Sequence, residues 1–218
     1  MPGFPAAVIH LPLGATTRRP LLVATHGNYD RLDWQCATWG EIVRERAFVL
    51  CPRGIPRRDS PSKDDIRFEY ASNVALEKEL EAGIDALEAR FPGRVDRARA
   101  VFTGFSLGAI MGTAIAARHP ERWPRLVLIE GGQDKLTPAA ARAFARGGGA
   151  RILFACGQAG CSIAASLSAR NVERAGLAAK VVSGDPREGH TYGGAVGREV
   201  ARIFDWVVED DARWRREP

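Results

Sequence analysis

No apolar run in this chain approaches the roughly 20 residues that a membrane-crossing helix requires, so no membrane span is expected. The first residues show neither a basic segment nor an apolar one, so no leader is legible; that fits a cytoplasmic protein, or one whose leader has been removed. Lysine is scarce, standing only at Lys63, Lys78, Lys135 and Lys180, so the formal charge of +5 is carried by arginine. The arginines are scattered rather than gathered in a stripe with interleaved aromatics, which argues against a nucleic-acid partner. Histidine is scarce as well: four His and no C-x-x-C pair leave a zinc site short of ligands. There is no internal repeat and no linker, and residues 1–218 read as a single domain long enough to bury a sizeable core.

What is present is a regular alternation. Short apolar runs at 6–11, 21–25, 47–51, 100–103, 126–129, 152–156 and 179–183 are nearly continuous rather than alternating, as strands covered on both faces are. Helical spacing marks 34–46, 107–118, 138–146, 163–175 and 195–208, and also the segment carrying Val74, Leu76, Leu80, Ile84, Leu87 and Phe91. Strand–helix alternation predicts an α/β fold, a mostly parallel central sheet with helices on both faces. The longest irregular stretch, 52–72, has the length at which loops tend to be functional. The cysteines fall into two groups, Cys36 with Cys51 and Cys156 with Cys161, the latter bracketing a tight "CGQAGC". Pairing would place the protein in an oxidising compartment, secreted or periplasmic; free thiols would leave it cytoplasmic.

The stretch "VFTGFSLGAIMG" (101–112) holds Ser106 between Gly104 and Gly108 where an apolar run gives way to helix-forming residues. G-x-S-x-G alone is a weak signal. Its setting is stronger, because a serine on a sharp strand-to-helix turn needs small residues two positions away on either side. Three further segments follow the same order: "VATHGNYD" (23–30), "LIEGGQD" (128–134) and "GDPREGHTYGG" (184–194). Together these resemble the serine hydrolases of the α/β-hydrolase superfamily over almost the whole chain, in particular its compact carboxylesterase, feruloyl-esterase-like and dienelactone-hydrolase-like members. The resemblance implies an α/β-hydrolase fold, with Ser106 as nucleophile and His190 as general base and then acid. It also implies an oxyanion hole made by the amide of Leu107 and that of Asn28 or Tyr29. His26 is expected to shape the oxyanion turn, while His10, on a strand, and His119, at a helix end, carry no such role.

The acid is where the chain departs from the family pattern. The segment after the strand ending at Cys156 has no carboxylate, and a Cys156–Cys161 bridge would close it off. Glu130 ends an apolar strand one step earlier, where a charge is costly unless paired, and is the favoured acid ahead of Asp134, Asp185 and a dyad without an acid. Tyr29, Trp34 and Tyr192, with Ile55, Phe68 and Leu107, are candidates to line the substrate site, and Arg53, Arg57 and Arg58 would suit an anionic group. About 20 residues separate Glu130 from the next strand, too few for a cap domain. The expected activity is cleavage of a small-molecule carboxylic ester through a Ser106 acyl-enzyme. No metal or organic cofactor is implied, since hydroxyl, imidazole and backbone donors suffice. A peptidase, thioesterase or acyltransferase on the same residues, or a binding protein that kept the fold without the chemistry, are the rival readings.

Overall fold

A computed structural model describes residues 1 and 3–215. The strands are β1 (Val8–His10), β2 (Arg19–Thr25), β3 (Phe48–Cys51), β4 (Ile55–Pro56), β5 (Phe68–Glu69), β6 (Val95–Phe105), β7 (Arg125–Ile129), β8 (Arg151–Cys156) and β9 (Ala178–Ser183). Seven of them form the central sheet in the order β1-β3-β2-β6-β7-β8-β9, while β4 and β5 pair as a small hairpin in the long 52–72 loop. Only β1, at one edge, runs antiparallel to its neighbour; the rest of the sheet is parallel. The helices are α1 (Leu32–Val43), α2 (Asn73–Arg90), α3 (Leu107–Arg118), α4 (Pro138–Arg146), α5 (Ala159–Arg174) and α6 (Gly194–Val208).

The near-continuous apolar strands bury both faces. On β6 and β7, Phe102 and Leu128 enter one core with Leu80, Ile84 and Phe144, under α2 to α5. Their neighbours Val101 and Val127 enter the other with Trp39 and Phe204, under α1 and α6. The period-two alternation of the strand distributes consecutive side chains between the two layers. This is the mostly parallel, doubly covered sheet of the α/β-hydrolase fold. From β7 the chain reaches β8 through a 3-10 turn and α4, without a cap between them.

Several element limits differ from those expected. β6 starts at Val95, not residue 100, because the polar residues before Ala100 continue the ladder with β2 past an irregularity between Pro20 and Leu22. The first strand shrinks to Val8–His10, the segment that has β3 beside it. α1 begins at Leu32 and gives way after Val43 to a 3-10 turn at Arg44–Arg46. α5 begins at Ala159, four residues before the expected 163, so Cys161 already lies in its first turn. The glycines of "CGQAGC" read as loop, but only Gly157 lies in the turn after β8, while Gly160 is already in the first turn of α5.

All four cysteines are paired, Cys36 with Cys51 and Cys156 with Cys161. The first bridge ties α1 to β3 across a separation of 15 residues. Closing a loop of that length removes unfolded-state entropy of about 3 kcal/mol. Replacing Cys36 and Cys51 together by Ala is expected to lower unfolding free energy by about that amount, read by urea denaturation without reductant.

Candidate functional site

Parallel strands end together at one edge of the sheet, and the candidate residues collect there. Phe105 and Ile129 are register partners on β6 and β7. The next residue on each strand is therefore Ser106 and Glu130, side by side. The Ser106 amide donates to Ile129 O at 2.8 Å, and the Glu130 amide to Ala155 O at 2.9 Å, extending the ladders by one step.

Ser106 has φ 49° and ψ −114°. Among the described residues, the non-glycine positions with positive φ are Tyr29, Arg44, Arg99, Ser106 and Glu130, and three of these belong to this one edge. Such strain gathers where surrounding structure over-determines the backbone, and it is commonest at functional sites. Here the surroundings are tight. A Cβ on Gly104 would lie 2.6 Å from the Ala109 amide, and one on Gly108 2.6 Å from His26 O. The sharp turn is possible because both positions lack a side chain.

α3 begins directly after the serine, so the Leu107 amide is one of the donors that a helix start leaves without a partner in the helix. The Tyr29 amide, by contrast, donates to Phe68 O at 3.0 Å and is committed to that bond. The adjacent Asn28 amide has no acceptor among the described residues. Of the two expected alternatives at this turn, the unclaimed donor is Asn28. The turn is braced on both sides: Arg57 Nη1 donates to Asn28 Oδ1 at 2.8 Å, and Tyr29 OH to Asp59 O at 2.9 Å. The buried His26 ring stacks on Tyr70 at 4.4 Å, and its nitrogens lie 2.8 Å from Gly27 O and 2.9 Å from Arg53 O. Burial pushes the Tyr70 hydroxyl well above its ordinary pKa, so it stays protonated and donates to Pro52 O.

Glu130 points inward, its side chain 1% exposed. Its Oε1 accepts from the amides of Gly157 and Gln158, the latter at 2.8 Å, and its Oε2 lies 3.3 Å from His190 Nδ1. The two amides belong to the turn closed by the Cys156–Cys161 bridge. A Cβ on Gly157 would stand 2.3 Å from Gly189 O, so only glycine there lets the histidine loop come this close. A carboxylate accepts but does not donate, so the contact selects the tautomer with its proton on Nδ1 and leaves Nε2 as the basic atom. The His190 ring also packs on Phe105, centroids 4.9 Å apart, which brings it beside the residue preceding Ser106.

The other two carboxylates considered for the acid are engaged elsewhere. Asp134 pairs with Lys135 at 2.7 Å on the surface. Asp185 caps the Arg187 amide and pairs with its guanidinium, which together lower its pKa, the ion pair most.

Sequence reasoning missed Asp30. Its buried carboxylate accepts from the amides of Gly27 at 3.3 Å and Arg31 at 2.8 Å, and from Tyr192 OH at 3.4 Å. Burial first, and then Asp30, raise the pKa of the Tyr192 hydroxyl, which remains a donor. Asp30 therefore joins the turn at Asn28 to the loop carrying His190. Its place, four residues beyond His26 and just before α1, was the only signal available.

Of the expected substrate-lining side chains, Tyr29 lies under the guanidinium groups of Arg57 and Arg67, and Trp34 under those of Arg31 and Arg67. Tyr192 packs edge-on against Phe105. Leu107 instead faces a cavity of about 370 Å³ between α3 and α4.

Solved structures share this architecture. An esterase, PE8, superposes with a TM-score of 0.62 at 16% identity, covering 93% of this chain and 98% of its own. A Bacillus cereus carboxylesterase gives 0.61 at 19% identity, covering 92% of this chain and 93% of its own. An S-formylglutathione hydrolase from Agrobacterium tumefaciens gives 0.62 at 15% identity over 92% of this chain and 86% of its own. At such identities the likeness establishes the fold, an α/β-hydrolase fold, and leaves the chemistry to the residues. No family model matches the sequence, and no curated protein does.

The atoms facing Gly104 are backbone, and those facing Gly108 are two backbone carbonyl oxygens and the buried Thr25 hydroxyl, so they cannot readily step aside. Gly104→Ala and Gly108→Ala are each expected to cost about 1–3 kcal/mol of stability, read from thermal or urea unfolding.

Proposed function

We propose that the chain is a single-domain serine hydrolase that cleaves small carboxylic esters. The observation that carries this reading is the His190–Glu130 contact, made at the strand edge beside a serine held in a strained strand-to-helix turn. Ser106 Oγ attacks the ester carbonyl while His190 Nε2 takes its proton. The oxygen of the tetrahedral intermediate is received by the amides of Leu107 and Asn28, and His190 then returns the proton to the departing alcohol. Water repeats the sequence on the acyl-enzyme. Glu130 holds the imidazole in the required tautomer and stabilises the imidazolium.

Tyr29, Trp34 and Tyr192 are the proposed contacts for the substrate on the side of the 52–72 loop. The chemistry as proposed uses the chain's own groups alone. The contact of the Glu130 carboxylate, at the end of β7, with His190 supports the enzyme reading over a binding protein without activity. Peptidase, thioesterase and acyltransferase readings use the same residues, and no feature of the rim favours one of them. The paired cysteines support an oxidising compartment, secreted or periplasmic.

Hydrolysis of p-nitrophenyl acetate and labelling by a fluorophosphonate are both expected to vanish in Ser106→Ala; activity surviving that change would overturn the reading. Glu130→Gln should lower kcat by about 10²–10⁴-fold, whereas Asp134→Asn should leave it within about twofold of wild type, as a surface change outside the site. Replacing Cys156 and Cys161 by Ala loosens the turn that holds Glu130. The expected result is a fall in kcat with KM little changed, measured under the same non-reducing conditions as wild type.

A further inference from the structure

α3 is apolar on nearly all sides, with Thr113 and Arg118 its polar residues. Its inner face, with Gly108, Ala109, Gly112, Ile115 and Ala116, packs on the sheet. The opposite stripe, Leu107, Ile110, Met111, Ala114 and Ala117, follows helical spacing, where a surface helix would carry polar residues. This stripe forms one wall of the 370 Å³ cavity, and Leu136, Ala140 and Phe144 form the other. Ile110 remains 40% exposed within it.

The polar groups in the lining are engaged with their own neighbours. Ser72 Oγ caps the Ala75 amide, Asn73 Oδ1 accepts from Arg118, Thr113 Oγ1 donates to Ala109 O, and Lys135 pairs with Asp134. The wall therefore offers burial to carbon and no free charge to a polar group. One end of the stripe is Leu107, whose amide is a proposed oxyanion donor. From there to Ala117 the helix runs for about 15 Å at its usual rise per residue. The cavity also falls within the size range of small-molecule sites.

We infer that this groove is an acyl-binding site, receiving the aliphatic chain of a medium-length fatty ester, roughly eight to twelve carbons over the length of the stripe. The inference rests on the proposed esterase reading and adds the substrate class. The acyl carbonyl sits at the Leu107 amide, and the chain lies along α3 towards Phe144. Aliphatic burial is its source of affinity, up to about fourfold per methylene.

The test is kcat/KM across p-nitrophenyl acetate, butyrate, octanoate and dodecanoate. A rise of at least about tenfold from butyrate to octanoate is expected, given the burial available per methylene. Ile110→Asp, at an exposed position where folding is not at stake, and Ala114→Phe, which fills the groove, should each lower the octanoate-to-acetate ratio of kcat/KM about tenfold or more. A profile that is flat or falls beyond acetate, with acetate still cleaved through Ser106, overturns the acyl groove and leaves the hydrolase reading standing. If no ester is cleaved, the hydrolase reading falls, and calorimetric titration with octanoate decides the groove. Saturable binding weakened by Ala114→Phe supports it, and no binding overturns it.

Discussion

The buried carboxylate of Glu130 constrains the whole strand edge. An anion with almost no exposure needs hydrogen-bond donors, and it finds them in the Gly157 and Gln158 amides and in the imidazole of His190. Meeting that need fixes three pieces of chain at once. The turn after β8 must present its amides, the loop after β9 must lie against that turn, and residue 157 must have no side chain. The Cys156–Cys161 bridge lies across the turn, so a covalent bond holds the donors in place. In many proteins of this fold the acid would stand on that turn. Here the turn has no carboxylate and supplies amides to Glu130, the proposed acid, on the neighbouring strand.

A second buried anion plays the matching part on the other side. Asp30 gathers the Gly27 and Arg31 amides and the Tyr192 hydroxyl. One end of this cluster defines the turn with the free Asn28 amide, and the other end lies two residues from His190. The two carboxylates thus hold the histidine loop from both sides, with Phe105 packed between. This over-determination is what allows Tyr29, Ser106 and Glu130 to keep backbone conformations that side-chain-bearing residues avoid.

Much of this was legible in the sequence because it rests on local rules. The apolar runs gave the strands and their double burial, the glycines around Ser106 gave the turn, and the odd charge closing "RLVLIE" pointed to Glu130. What escaped depends on distant parts of the chain meeting. Asp30 reads as an ordinary residue before a helix until the fold brings Tyr192 to it. That the Tyr29 amide is engaged while the Asn28 amide is not depends on Phe68, a residue of the long loop whose carbonyl accepts from Tyr29. The apolar outer stripe of α3 was visible as composition, but its significance needed α4 to stand opposite it. The start of α5 was misjudged because glycine next to cysteine reads as loop, while a bridge of short reach is compatible with the first turn of a helix.

The direct passage from β7 through α4 to β8 also bears on timing. With no cap domain among the described residues, an alcohol released in the first half of the proposed reaction would depart straight into bulk solvent, and the incoming water would arrive the same way. Nothing has to swing open between the two halves. The pace of the proposed catalyst would then be governed by bond-making at the serine and by release from the proposed acyl groove, and not by the opening of a lid.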